Sequence, residues 1–164
     1  MARDDSFRQF LDRFQIPDLA QLDWKLSTDK LRQQFYVASR AIERDAPEMA
    51  DITLLKVAGA DGPLKARIYT PLGAGLPPGP GIVFFHGGGF MLGDLDSHDM
   101  VCKRLAEGAR CRVIAVDYRL APEHAFPAAH EDALAAWTWI VANAPRLGLD
   151  PERLAVSGDS AGGN

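Results

Sequence analysis

Three short continuous apolar runs, GIVFF at 81–85, VIAV at 113–116 and LAV at 154–156, constrain this chain more than any other feature. Each is too short to stand as a helix and lacks the polar alternation of a half-exposed strand, so each reads as a strand buried on both faces. Between them lie segments with helical spacing. Val101 and Leu105 mark one within HDMVCKRLAEG, and Ala133, Ala136, Trp137 and Ile140 mark another. Strand and helix alternating in this way predict right-handed βαβ units in a parallel sheet. Upstream the period drops to two: Ile52 and Leu54, then Leu64, Ala66 and Ile68, flank AGADGP with its Asp61-Gly62 turn signal. That pattern predicts an antiparallel strand pair. Earlier still, Phe7, Phe10, Leu11 and Phe14, then Leu31, Phe35, Ala38 and Ile42, keep the spacing of two amphipathic helices. The fold class is therefore α/β.

Two glycine-rich segments follow predicted buried strands, HGGGF at 86–90 and GDSAGG at 158–163. In open α/β sheets the carboxyl ends of the strands are where ligands bind. Gly158-Asp159-Ser160-Ala161-Gly162 has the Gly-x-Ser-x-Gly form that presents a nucleophilic serine on a tight strand-to-helix turn. A serine hydroxyl attacks esters poorly unless a base takes its proton and a third group orients that base. Backbone amides of Gly88, Gly89 and Ala161 are the expected donors to the developing oxyanion. Taken alone, the serine motif recurs by chance and the glycine run could be an ordinary loop; both together, in this order after buried strands, favour acyl-transfer chemistry. Neither segment has the Lys-Ser or Lys-Thr ending, or the Gly-x-Gly-x-x-Gly form, of a nucleotide site.

The 164 residues, 47% hydrophobic and 24% charged, suit one globular domain with a sizeable core. A net charge of −4 with scattered Lys and Arg gives no footprint for nucleic acid, and small neutral or weakly polar ligands fit better. The opening MARDDSFRQF lacks the apolar stretch of a secretion signal and no run is long enough to span a bilayer, so no membrane partner and a cytoplasmic location are expected. Cys102 and Cys111 are expected to be buried reduced thiols, and no metal-ligand spacing is present. Asp96 or Ser97 is expected to cap the helix that follows. Asp117, Arg119 and Glu123 are read as structural pairing rather than as a catalytic carboxylate. Phe7, Phe10, Phe14, Trp24, Phe35 and Tyr36 either glue a cap onto the sheet or line a substrate pocket.

HGGGF at 86–90, DYRLAPEHAFPAA at 117–129 and GDSAGGN at 158–164 together resemble the hormone-sensitive-lipase-like family of serine carboxylesterases. The resemblance implies an α/β-hydrolase fold with residues 1–46 as a helical cap segment and 47–164 as the first half of the catalytic domain. It implies Ser160 as nucleophile, Gly88, Gly89 and Ala161 as oxyanion hole, and a structural role for His86. The hydrolase chain order, serine then acid then histidine, puts the triad acid and histidine beyond Asn164 in a C-terminal half. The implied substrate is a small ester of short to medium acyl chain, with no cofactor or metal; a homo-oligomer stays open. A last strand ending at Asn164 would leave an unpaired apolar edge. The alternatives are a non-catalytic small-molecule binder on the same fold, a fragment inactive without its C-terminal half, and amide or thioester hydrolysis.

Overall fold

The computed structural model describes residues 28–42 and 45–164. The Phe7–Phe14 helix and Trp24 lie outside the described residues. Helix α1 (Thr28–Ile42) follows the expected Leu31 and Phe35 stripe, with Leu31 buried. Strands β1 (Met49–Gly59) and β2 (Gly62–Pro71) form the antiparallel pair, joined by Ala60 and Asp61. The turn thus sits one residue earlier than the Asp61-Gly62 signal, with Gly62 at φ +112° closing it. Then follow β3 (Gly79–Phe85), α2 (Asp99–Ala109), β4 (Arg112–Val116), α3 (Ala128–Asn143) and β5 (Leu149–Gly158). The sheet runs β1-β2-β4-β3-β5, with β3 parallel to both β4 and β5.

Alternate residues of the first two apolar runs enter two different cores, which is why those runs carry no polar positions. Val83, Phe85, Ile114 and Val116 pack on one face with Ala136 and Ile140 of α3. Phe84, Val113 and Ala115 pack on the other with Cys102 and Ala106 of α2. Both cysteines are free and buried. Three expectations are corrected here. Helix α2 turns Met100, Cys102 and Ala106 inward and leaves Val101 40% exposed, because the sheet meets it one position round from the Val101 stripe. Ile52 and Leu54 also face outward, Leu54 at 70% exposure. As β1 is the outermost strand on its side, its inward face is instead that of Val57 and the half-buried Leu55, packed against the α3-side core. At the opposite edge lies β5, so the run at 154–156 is not the strand buried on both faces that its apolar sequence predicts: Leu154 is half-buried, Ala155 exposed and Val156 59% exposed.

Candidate active site

Ser160 stands at the end of β5, where the strand passes into a 3₁₀ turn over Ser160–Gly163. Its φ is +49°, a left-handed value that a β-carbon disfavours and that puts the exposed side chain on the apex of the turn. Backbone packing enforces this sharpness. A β-carbon on Gly158 would lie 2.7 Å from the Phe85 carbonyl oxygen, and one on Gly162 would lie 2.6 Å from the Phe85 carbonyl carbon. Only glycine lets the elbow close against the end of β3. The Gly162 amide donates to Asp159 O at 2.8 Å, and Ala161 is the second residue of the turn, where a helix's backbone N–H groups have no intrahelical acceptor.

The glycine segment after β3 lies beside this elbow. Asp159 Oδ1 accepts the Gly87 N–H at 2.8 Å, tying the residue before the serine to the loop. Gly88 (φ +124°), Gly89 (φ +62°) and Phe90 (φ +60°) are three successive left-handed residues. They fold the chain back so that the amides of Met91 and Leu92 both donate to Gly88 O, at 3.2 and 2.9 Å. Gly88, Gly89 and Ala161 therefore sit on two adjoining strand-end turns, while Gly89 and Ser160 are exposed.

Under the loop lies a buried aromatic stack. His86 is 2% exposed, stacks on Tyr118 at 4.4 Å and approaches His98 at 5.3 Å. Its Nδ1 lies 2.8 Å from Gly87 O; a carbonyl only accepts, so Nδ1 carries the proton. Desolvation pulls the imidazole down to about 4, well below the ordinary histidine value, so at neutral pH it is uncharged. The Tyr118 hydroxyl donates to His86 O, and burial pushes that phenol upward. His98 Nε2 reaches Asp159 Oδ1 at 3.5 Å, a neighbour of the elbow that spacing alone did not reveal. None of the four histidines hydrogen-bonds Ser160 among the described residues.

The acidic residues sort themselves differently from expectation. Neither Asp96 nor Ser97 caps α2; its N-cap position is His98, with no side-chain cap. Asp94 instead accepts the amides of Asp96 (2.9 Å) and Ser97 (2.6 Å), and Asp96 and Asp99 both pair with Arg67. The carboxylates are drawn to that half-buried guanidinium across the sheet rather than to the helix end. Arg119 forks onto the fully buried Asp132 at 2.8 and 3.0 Å, and Asp132 also accepts the amides of Arg119 and Ala60. Burial alone would raise the Asp132 carboxyl; the fork and the two amides hold it below its ordinary value. Glu123 pairs with Arg32 of α1 at 2.7 Å. Arg119 and Glu123 thus take structural partners 13 and 91 residues away, while Asp117 makes no ion pair among the described residues and burial raises its carboxyl above the ordinary value. Among the described residues no cluster of His, Cys, Asp and Glu could hold a metal, and no helix is long and apolar enough to cross a membrane.

A βαβ sheet with a serine elbow beside a glycine loop at its carboxyl edge defines a class, and comparison with known proteins places the chain within it. The α/β-hydrolase-fold family matches residues 82–164. Ethyl acetate hydrolase of Pseudomonas putida is 45% identical over 141 residues, 85% of this chain and 44% of that protein. Carboxylesterase NlhH of Mycobacterium tuberculosis is 49% identical over 113 residues, 66% of this chain and 34% of that protein. The hyperthermophilic esterase from Pyrobaculum calidifontis superimposes with a TM-score of 0.85 at 38% identity, covering 99% of this chain and 51% of that one. The chain belongs to the α/β-hydrolase-fold family, in its hormone-sensitive-lipase-like branch. It spans about half the length, or less, of these relatives.

Proposed function

We propose that this chain carries the nucleophile and the oxyanion-binding part of a carboxylic ester hydrolase. The observation that carries the reading is Ser160 at φ +49° on an elbow closed against the glycine loop. In the proposed reaction, Ser160 Oγ bonds to the ester carbonyl carbon while a histidine takes its proton. The oxyanion that forms accepts from the amides of Gly88, Gly89 and Ala161. Collapse breaks the bond to the alcohol oxygen, which leaves with the proton from histidine. Water then repeats the sequence on the acyl-serine and releases the acid. Each preorganised amide is worth roughly 3 kcal/mol of transition-state stabilisation in comparable sites.

Among the described residues none of the four histidines hydrogen-bonds Ser160, His86 and His98 being held by Gly87 O and Ser97, and the relatives are about twice as long or more, which supports placing the triad acid and histidine in a C-terminal half beyond Asn164. Residues 47–164 are then the first half of the catalytic domain and 1–46 a helical cap segment, a division supported by α1 lying over the loops at the carboxyl edge. Relatives named for ethyl acetate and carboxylic esters support short- to medium-chain esters as substrates. The chemistry requires no cofactor or metal. Two buried thiols with no disulfide favour the cytoplasm as its compartment. In the complete protein, Ser160→Ala should abolish turnover of p-nitrophenyl butyrate while leaving the thermal transition in place; retained turnover would sink the assignment.

A further inference from the structure

We propose that Arg32, on the N-terminal helix α1, is a positioning residue that latches the glycine loop into the geometry its amides need. This rests on the ester-hydrolase reading above. The need for a latch follows from the loop itself. Three consecutive residues, Gly88, Gly89 and Phe90, lie at positive φ, and Phe90 has a β-carbon that disfavours this conformation. A backbone of this kind persists only when its surroundings over-determine it.

The Arg32 guanidinium supplies such an anchor. Its Nε donates to Met91 O at 2.8 Å, two residues past Gly89 and in the same turn. One terminal nitrogen donates to Ala121 O at 3.0 Å, and the two together fork onto Glu123 at 2.7 and 2.8 Å. The Ala121 amide in turn donates to Phe90 O at 2.8 Å. One side chain therefore joins three separate pieces of chain: α1, the glycine loop and the 117–127 loop. Phe35, one helical turn on, stacks on His98 at 6.0 Å and presses the same face of α1 against the back of the site.

An exposed Arg–Glu pair by itself contributes little. Here the geometry is different in kind. Glu123 holds the fork in place, and the working contact is the one to Met91 O, which the single nitrogen of a lysine cannot combine with a coplanar two-nitrogen fork onto the carboxylate. The pair sits in the wall of a cleft of about 390 Å³, lined also by Phe35, Asp94, Asp117 and Leu120. Docking of α1 is thereby coupled to the position of the Gly88 and Gly89 amides, which touch the transition state more than the ground state.

The test compares Arg32→Ala and the milder Arg32→Lys in the complete protein, with Ser160→Ala as the reference for the chemistry. The expected result is a kcat for p-nitrophenyl butyrate lowered at least 10-fold in Arg32→Ala with KM changed less than 2-fold, and Arg32→Lys falling between. The rate of inactivation by an alkyl phosphonate, whose oxyanion uses the same amides, should fall in parallel. Amide hydrogen exchange of residues 86–93 should quicken in both variants, a readout that does not depend on turnover. Unchanged exchange, or a kcat within 2-fold of the parent in a folded Arg32→Ala, overturns the latch. Turnover surviving in Ser160→Ala overturns the hydrolase reading instead, and the exchange measurement then still decides whether Arg32 holds the loop.

Discussion

The two turns that meet at the candidate site are held by opposite means. The elbow around Ser160 is held by the backbone it abuts and one tie to the loop: glycines at 158 and 162, a Gly162 N–H to Asp159 O bond, close approach to Phe85, and Asp159 Oδ1 on the Gly87 N–H. The glycine loop at 87–92 is held by side chains and amides from elsewhere, namely Tyr118 on His86 O, Ala121 on Phe90 O and Arg32 on Met91 O. The elbow is thus braced by direct packing of its backbone on the end of β3 and by the Asp159 tie to Gly87, 72 residues away, whereas the far side of the loop is held by partners 31 to 59 residues away on α1 and the 117–127 segment. A nucleophile has to be placed with respect to one strand. Oxyanion donors have to be placed with respect to a different strand, and that alignment is a tertiary problem.

The sharpest way to break this contrast is to remove the far anchor of the loop's support. Asp132→Ala takes away a fully buried carboxylate and four of its hydrogen bonds, loosening the 117–127 segment that carries Tyr118 and Ala121. It should destabilise the complete protein by about 3 kcal/mol, the lower end for a broken buried pair because the Arg119 it strands can reach water. Urea unfolding measures it, and a loss under about 1 kcal/mol would show that the segment is braced otherwise.

A smaller effect is expected at the elbow. Gly162→Ala should lower kcat/KM about 100-fold, as displacing a reacting group by an ångström does. Because the new β-carbon would meet the Phe85 and His86 carbonyls, amide exchange should quicken at 85–87, while residues 88–93, held by Arg32 and the Ala121 amide, should change little. Equal disturbance of both turns would erase the distinction drawn here.

The third prediction sharpens the comparison through pH. His86 beneath the loop has a folded-state pKa near 4 against an ordinary 6.5, so between these values the unfolded chain binds the proton that the folded one refuses. Stability should therefore be level above pH 6.5 and fall as pH drops toward 4, by up to roughly 1.4 kcal/mol per pH unit from this one group. A His86→Gln variant should lose that part of the slope; an unchanged slope would place the proton elsewhere.

Two of the parallel strands were legible because burial on both faces leaves a mark in consecutive residues, and Val83, Phe84 and Phe85 do alternate between the two cores as that mark requires, whereas the apolar run of β5 lies on an exposed edge. The hairpin was legible from its period, although Ile52 and Leu54 show that period two tells which residues share a face and not which face is inward. In α2 the stripe through Val101 misled in the same way, since it left open which side the sheet would meet. Ser160 and the glycine run were found by spacing. Arg32, His98 and Asp132 were not identified as parts of the site's framework, since a lone Arg on an amphipathic helix has no local signature.

Sequence by itself determined which segments are strands and where the serine elbow and the glycine run lie, because steric limits and burial period act over a few neighbouring residues; that Phe90 and Ser160 take positive φ was decided by the structure. Tertiary structure decided what holds the glycine loop. A guanidinium at position 32 reaches carbonyls at 91 and 121 and a carboxylate at 123 only after the sheet has brought those loops to one edge. Hydrogen bonds are short and directional, so partners so far apart in the chain are selected by topology and not by spacing.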